Sequence, residues 1–167
     1  MEVLISNNQS ILQIDLELIK KVAQEIMKFE ASPDNAELSL VFCDDDFIQK
    51  LNNEYRGKNE PTDVLSFPME EEDFETEIRM IGDVVISIET ALRQAEGMKH
   101  EPLLEIVFLL IHGLLHLHGY THSNKILRRQ MRDREVSILR HLCERNLLDC
   151  LSSKAGSPLI KRANESE

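Results

Sequence analysis

The sequence predicts an α+β fold, a small four-stranded sheet packed with about five helices. Two observations carry that prediction. Apolar residues recur at helical spacing in some segments and alternate, or run on continuously, over short stretches in others. No internal repeat or linker divides the 167 residues, and 42% hydrophobic with 29% charged residues is an ordinary globular balance. Residues 1–150 read as one domain, and 151–167, with little apolar content beyond Leu159-Ile160, as a flexible tail.

Residues 3–7 form a short strand ending at Asn7-Asn8. From Asp15 to Phe29, Leu16, Ile19, Val22, Ala23 and Ile26 share one face of a helix. Ser32-Pro33-Asp34-Asn35 is turn chemistry, and Glu37 to Cys43 alternates like a strand. The acidic triplet Asp44-Asp45-Asp46 suits a helix N-terminus, continued by Phe47, Ile48, Leu51 and Tyr55. Val64 to Phe67 is a strand closed by Pro68, and Met69 to Glu77, with six acids and no base, reads as a solvated, mobile loop. Ile81 to Ile88 reads as a buried strand and Thr90 to Glu96 as a short helix stopped by Gly97. Glu101 to Leu117 is a strongly apolar helix with Pro102 in its first turn. The last helix runs from Ser123 to about Asn146, with Leu127, Met131, Ile138 and Leu142 on one face.

Nineteen Lys plus Arg against 30 Asp plus Glu give a net charge of −11. That balance argues against a protein that coats nucleic acid or anionic membrane with its whole surface, but leaves room for a local basic cleft. Cys43, Cys143 and Cys150 form no CxxC pair and read as reduced structural thiols of a cytosolic protein. The N-terminus lacks the pattern of a signal peptide, and the longest apolar run, Ile106 to Ile111, is far too short to span a bilayer.

The chemistry concentrates in His112-Gly113-Leu114-Leu115-His116-Leu117-His118-Gly119-Tyr120-Thr121-His122. His112 and His116 lie one turn apart on a helix, the spacing at which two imidazoles bind one metal. Were the helix to continue, His122 would lie roughly 9 Å beyond His116 along the axis. Gly119 can take a positive φ, end the helix and return His122 to the pair. Three neutral imidazoles leave a fourth position open, as in catalytic rather than structural zinc sites. In zinc peptidases with this histidine spacing the residue after the first His is a Glu base, and here it is Gly113, which places peptidase chemistry second.

His118 projects from another side of the helix, and His100 and His141, with no partner at ligand spacing, read as surface or capping residues. Arg56 closes a helix before Gly57, so its guanidinium either covers the helix end or reaches a cleft, where it suits a phosphate. Thr62-Asp63 reads as a turn-fixing pair, with Asp63 able to orient a ligand. Glu135 falls on the apolar face of the last helix and calls for a partner, most simply a buried Arg. Together with His118 and Thr121 it is a candidate proton shuttle. Arg128, Arg129, Arg132 and Arg140 form either a basic wall beside the histidines or a solvated helix face.

Tyr55-Arg56-Gly57, the run from Pro61 to Pro68, Gly82-Asp83 and the histidine motif together resemble the YbeY family of metal-dependent rRNA maturation endoribonucleases, over roughly residues 37 to 145. The resemblance implies a small mixed sheet packed by helices, with the metal site in a cleft. It implies that His112, His116 and His122 hold one Zn²⁺ or similar ion and that Arg56 and His112 serve catalysis. It further implies hydrolysis of single-stranded RNA, with the 16S rRNA precursor, the small ribosomal subunit and its assembly proteins as partners in the cytoplasm, and neither membrane nor DNA. The family's last motif usually carries Asp before the final His, where this chain has Thr121. On residues alone two other readings stand: a metallohydrolase acting on peptides or small molecules, and a non-catalytic ribosome-assembly factor with a structural metal.

Overall fold

The computed structural model describes residues 1–149, so the expected tail at 151–167 and Cys150 lie outside the described residues. In chain order the elements are β1 (Glu2–Asn7), α1 (Leu16–Phe29), β2 (Ala36–Cys43), α2 (Asp45–Arg56), β3 (Val64–Asp73), β4 (Ile78–Ser87), α3 (Ile88–Met98), α4 (Pro102–Leu117) and α5 (Lys125–Glu144). The expected α+β class, with a mixed four-stranded sheet and five helices, is what these elements form.

The sheet order is β1-β2-β4-β3. Strand β2 pairs parallel with both β1 and β4, and β3 runs antiparallel to β4 at the edge. Alternation in β2 sends Ala36, Leu38, Leu40 and Phe42 into the larger core, where they meet the apolar faces of α1, α4 and α5. The other sheet face is covered by α2, whose Ile48 packs with Cys43, Leu65 and Val85 in a smaller core.

Side chains cap the helices where the sequence offers them. Asp15 accepts from the Leu18 amide at 3.1 Å and Asp44 from the Phe47 amide at 2.9 Å, each satisfying a donor that the first helical turn leaves free. Asn124 does the same for α5 through the Leu127 amide at 2.9 Å.

Two boundaries differ from the sequence expectation. Strand β3 does not end at Pro68 but continues to Asp73, so most of the acidic stretch forms a hairpin with β4 rather than a loop. Pro68 is tolerated because β3 is an edge strand, and the register shifts between Pro68 and Glu71. The ladder bonds join backbone groups, which the acidic side chains leave available. Helix α3 starts earlier, at Ile88 behind the Ser87 cap, and runs through Gly97 to Met98. Its stop is Lys99, which takes the left-handed conformation at φ +56° and closes the helix with backbone bonds to Ala95 and Glu96.

What positions the histidines is the docking of α4 on the sheet. Gly113 faces Val84, where a Cβ would come within 2.8 Å of Cγ1 and 3.2 Å of the Ser66 hydroxyl. The absent side chain lets the helix backbone close on β3 and β4, and the Ser66 hydroxyl donates to the Gly113 carbonyl at 3.1 Å.

Candidate metal centre

Helix α4 is apolar almost all round, with residues Ile106 through Ile111 buried without interruption. His112 and His116 follow on the side of its last turns that the core leaves partly open. Helical backbone ends at Leu117, and Gly119 at φ +92° turns the chain, as its position in the motif predicts. The turn brings His122 back to the helix. The ring centroids of His122 lie 5.7 Å from His112 and 5.0 Å from His116, and those of His112 and His116 are 4.6 Å apart. One nitrogen from each of the three rings falls within 4.8 Å of the others, close enough to hold a metal ion.

Two of the rings are held by their other nitrogen. The Nδ1–H of His112 donates to Glu135 Oε1 at 2.8 Å, and the Nδ1–H of His116 donates to the Tyr120 carbonyl at 2.9 Å. Both Nε2 lone pairs are thereby turned toward each other, 3.0 Å apart. Two nitrogens bound to one tetrahedral zinc at its usual bond length stand about 3.3 Å apart, so the donor set fits such an ion. Burial, with the neighbouring His112 next, lowers the His116 pKa to about 4, against a weaker pull upward from the Tyr120 carbonyl. His122 and Arg56 push in the same downward direction. His116 is therefore neutral near pH 7, the form that binds metal.

Glu135 has the partner its position demands, and one of its partners is a histidine at the site. It is 1% exposed and orients His112, the carboxylate–histidine arrangement that fixes a ligand's tautomer and raises its basicity. The acid on the apolar face of α5 was the signal for it. The Tyr120 carbonyl left no such signal, because a backbone acceptor has no residue type.

Arg56 is the last residue of α2, whose helix ends at Gly57 with φ +67°. Its side chain is exposed, and its charge acts on His116. Tyr55 beside it meets Phe67 edge-on at 5.2 Å. Asp63 fixes its turn as expected, accepting from the Val64 amide at 2.7 Å and from Gln94 Nε2 at 3.1 Å. Thr121 is exposed and lies 3.5 Å from the Ser123 hydroxyl.

The remaining histidines hold the scaffold. His118 donates through Nδ1 to the Leu114 carbonyl at 2.8 Å and accepts at Nε2 from the Ser32 hydroxyl at 2.7 Å, tying the end of α4 to the α1–β2 turn. His100 is not at the surface: its side chain is 2% exposed and paired with the buried Glu105 at 2.8 Å. His141 faces Glu25 at 3.1 Å and packs on Phe29. A cleft of about 450 Å³ opens beside His116, walled by Ser32, Pro33, Pro68, Met69, Arg79 and Ile81. A smaller hollow on the other side of the triad is lined by His112, His122, Arg128, Met131, Arg132 and Glu135.

A family profile described as Endoribonuclease YbeY matches residues 4–143. Among curated proteins, an Endoribonuclease YbeY of Pelotomaculum thermopropionicum is 44% identical over 149 residues, covering 85% of this chain and 97% of that protein. One from Clostridioides difficile is 39% identical over 148 residues, with the same coverage. The solution structure of TM1509 from Thermotoga maritima shares the fold at a TM-score of 0.54 and 22% identity, across 92% of this chain and 99% of that one. The match of profile and relatives over nearly the whole described chain shows that it belongs to the YbeY endoribonuclease family.

Proposed function

We propose that this protein is a metal-dependent endoribonuclease that cleaves single-stranded RNA and acts in the cytoplasm on the 16S rRNA precursor during 3′-end maturation. The observation that carries the reading is the convergence of His112, His116 and His122, with two of the rings pinned through Nδ1. These three residues would hold the ion, which we take to be Zn²⁺ from the all-imidazole donor set. When bound, such an ion supplies a Lewis acid and a water acidic enough to ionise near neutral pH.

The chain's own residues do the rest. Glu135 and the Tyr120 carbonyl keep His112 and His116 in the tautomer that presents Nε2. Arg56 supplies a cation that cannot lose its proton and whose charge is felt at His116, suited to balance charge building on the non-bridging oxygens of a phosphodiester. Removing a preorganised donor of this kind costs a factor on the order of 10²–10³ in rate. Gly113 provides no base, and its Cα faces Val84 in the sheet rather than a substrate. That packing weighs against the peptidase reading. The family's endoribonucleases supply the prior for RNA, and the small ribosomal subunit with its assembly proteins are the partners this role requires.

The test is cleavage of a single-stranded RNA by wild type and His116→Ala purified in parallel. Activity in wild type alone is the expected result. Equal activity in both preparations, or none in either, overturns the proposal.

A further inference from the structure

The net charge of −11 poses a problem for an enzyme acting on a polyanion, and the acids are unevenly placed. Six of them fall between Met69 and Glu77, with no base, on the hairpin that borders the larger cleft. Lys125 to Arg132, by contrast, carries four bases and no acid. The start of α5 therefore offers an RNA backbone a run of positive charge beside the triad, while on the hairpin Arg79 lines the cleft.

The structure sorts the arginines of α5. Arg129 and Arg140 are exposed and line neither hollow, whereas Arg128 and Arg132, one helical turn apart, share a wall with His112, His122 and Glu135. Arg128 is half-buried, and among the described residues its guanidinium has no carboxylate partner. The charge of Arg56, at the end of α2, is also felt at His116.

We propose that Arg128 is a second phosphate-binding residue of this site beside Arg56, holding the RNA backbone on the His112–His122 side. A guanidinium there meets a phosphate as a fork, with charge and two N–H donors presented together. Arg128 binds and positions the strand rather than taking part in bond cleavage. The inference rests on the endoribonuclease reading and names the path the substrate takes across the site.

The experiment uses the full chain loaded with zinc and a short fluorescent single-stranded oligouridylate. It measures binding as a function of salt, cleavage kinetics, zinc content and melting temperature. For Arg128→Ala, we expect KM and Kd to rise roughly tenfold with kcat within about threefold, and the slope of log K against log salt to become shallower by about 0.7, the value for one single-strand phosphate contact. Zinc content stays unchanged. Arg128→Lys recovers the slope and part of the affinity, and Arg140→Ala leaves affinity near wild type. If Arg128→Ala fails to fold, Arg128→Gln carries the same test. Wild-type cleavage with an unchanged slope in the Arg128 variants, or an equal loss in Arg140→Ala, overturns this assignment and leaves the nuclease reading standing. A wild type that neither binds nor cleaves the RNA overturns both.

Discussion

Glu135 and His112 are joined across two helices: the α5 carboxylate accepts the Nδ1 proton of the α4 imidazole at 2.8 Å, with Glu135 1% exposed. An ionisable acid on the apolar face of a helix is costly unless it is engaged by polar or charged partners. Here one engagement is to a metal-ligand candidate, so the docking of α5 on α4 and the orientation of the site depend on the same pair.

Removing that carboxylate should weaken metal binding more than folding. Glu135→Ala is expected to lower zinc affinity by about 10–100-fold, the usual cost of losing a group that orients a ligand. Glu135→Gln, which keeps an acceptor oxygen but not the charge, should lie between Glu135→Ala and wild type. Competition against a chromophoric chelator measures both. Wild-type affinity in Glu135→Ala would show that His112 needs no such support.

Gly113 tests the docking of α4. A methyl group there would approach Val84 Cγ1 to 2.8 Å and the Ser66 hydroxyl to 3.2 Å, so Gly113→Ala must push the helix off the sheet or force Val84 to move. We expect a loss of about 1–3 kcal/mol in urea unfolding, typical of an overpacked core. Val84→Ala makes room for the new methyl, so the double variant should lose less than the two single variants added together. Strict additivity would mean that the contact does not limit the approach.

These two sites also show what the sequence could reveal. The histidine triad was legible because helical spacing fixed His112 and His116, and Gly119 supplied the turn that returns His122. The role of Glu135 was half legible: burial follows from its place among Met131 and Ile138, but its histidine partner comes from how α4 and α5 dock. The hairpin was misread because charge content reports on side chains, whereas β3 continues to Asp73 through backbone pairing with β4. Gly97 was misread as a stop because helix ends are set by local conformation, and Lys99 adopts the left-handed turn instead. His100, expected as a surface or capping residue, pairs instead with Glu105 of the next helix, and its side chain is 2% exposed. The sheet order depends on long-range pairing that no local pattern encodes.

Ser32 and His118 should matter for stability and not for metal. The Ser32 hydroxyl satisfies His118 Nε2 at 2.7 Å and joins the α1–β2 turn to the end of α4. Ser32→Ala is expected to cost about 1 kcal/mol, the net worth of one hydrogen bond, in thermal or urea unfolding. Zinc titration should match wild type. A loss of zinc comparable with that in His116→Ala would place His118 among the ligands.

Asp45 gives the pH dependence with a definite sign. Burial alone would raise its pKa, but the Ser87 and Thr90 hydroxyls, each at 2.6 Å, and Arg93 at 2.8 Å outweigh it and hold the carboxyl below its ordinary 3.8. The folded state therefore favours the ionised form. The stabilisation is fully present above the unfolded value of 3.8 and is lost as the pH falls through the lower folded value. Asp45→Asn should be less stable than wild type at neutral pH, and the gap should narrow as the pH falls below 3.8. Urea midpoints across that range measure it. A gap that stays constant into acid would mean that the amide loses packing or hydrogen bonds rather than charge. Because Asp45 ties the start of α2 to the start of α3 while Arg56 ends α2, the same variant should also lower RNA cleavage at neutral pH without altering zinc content.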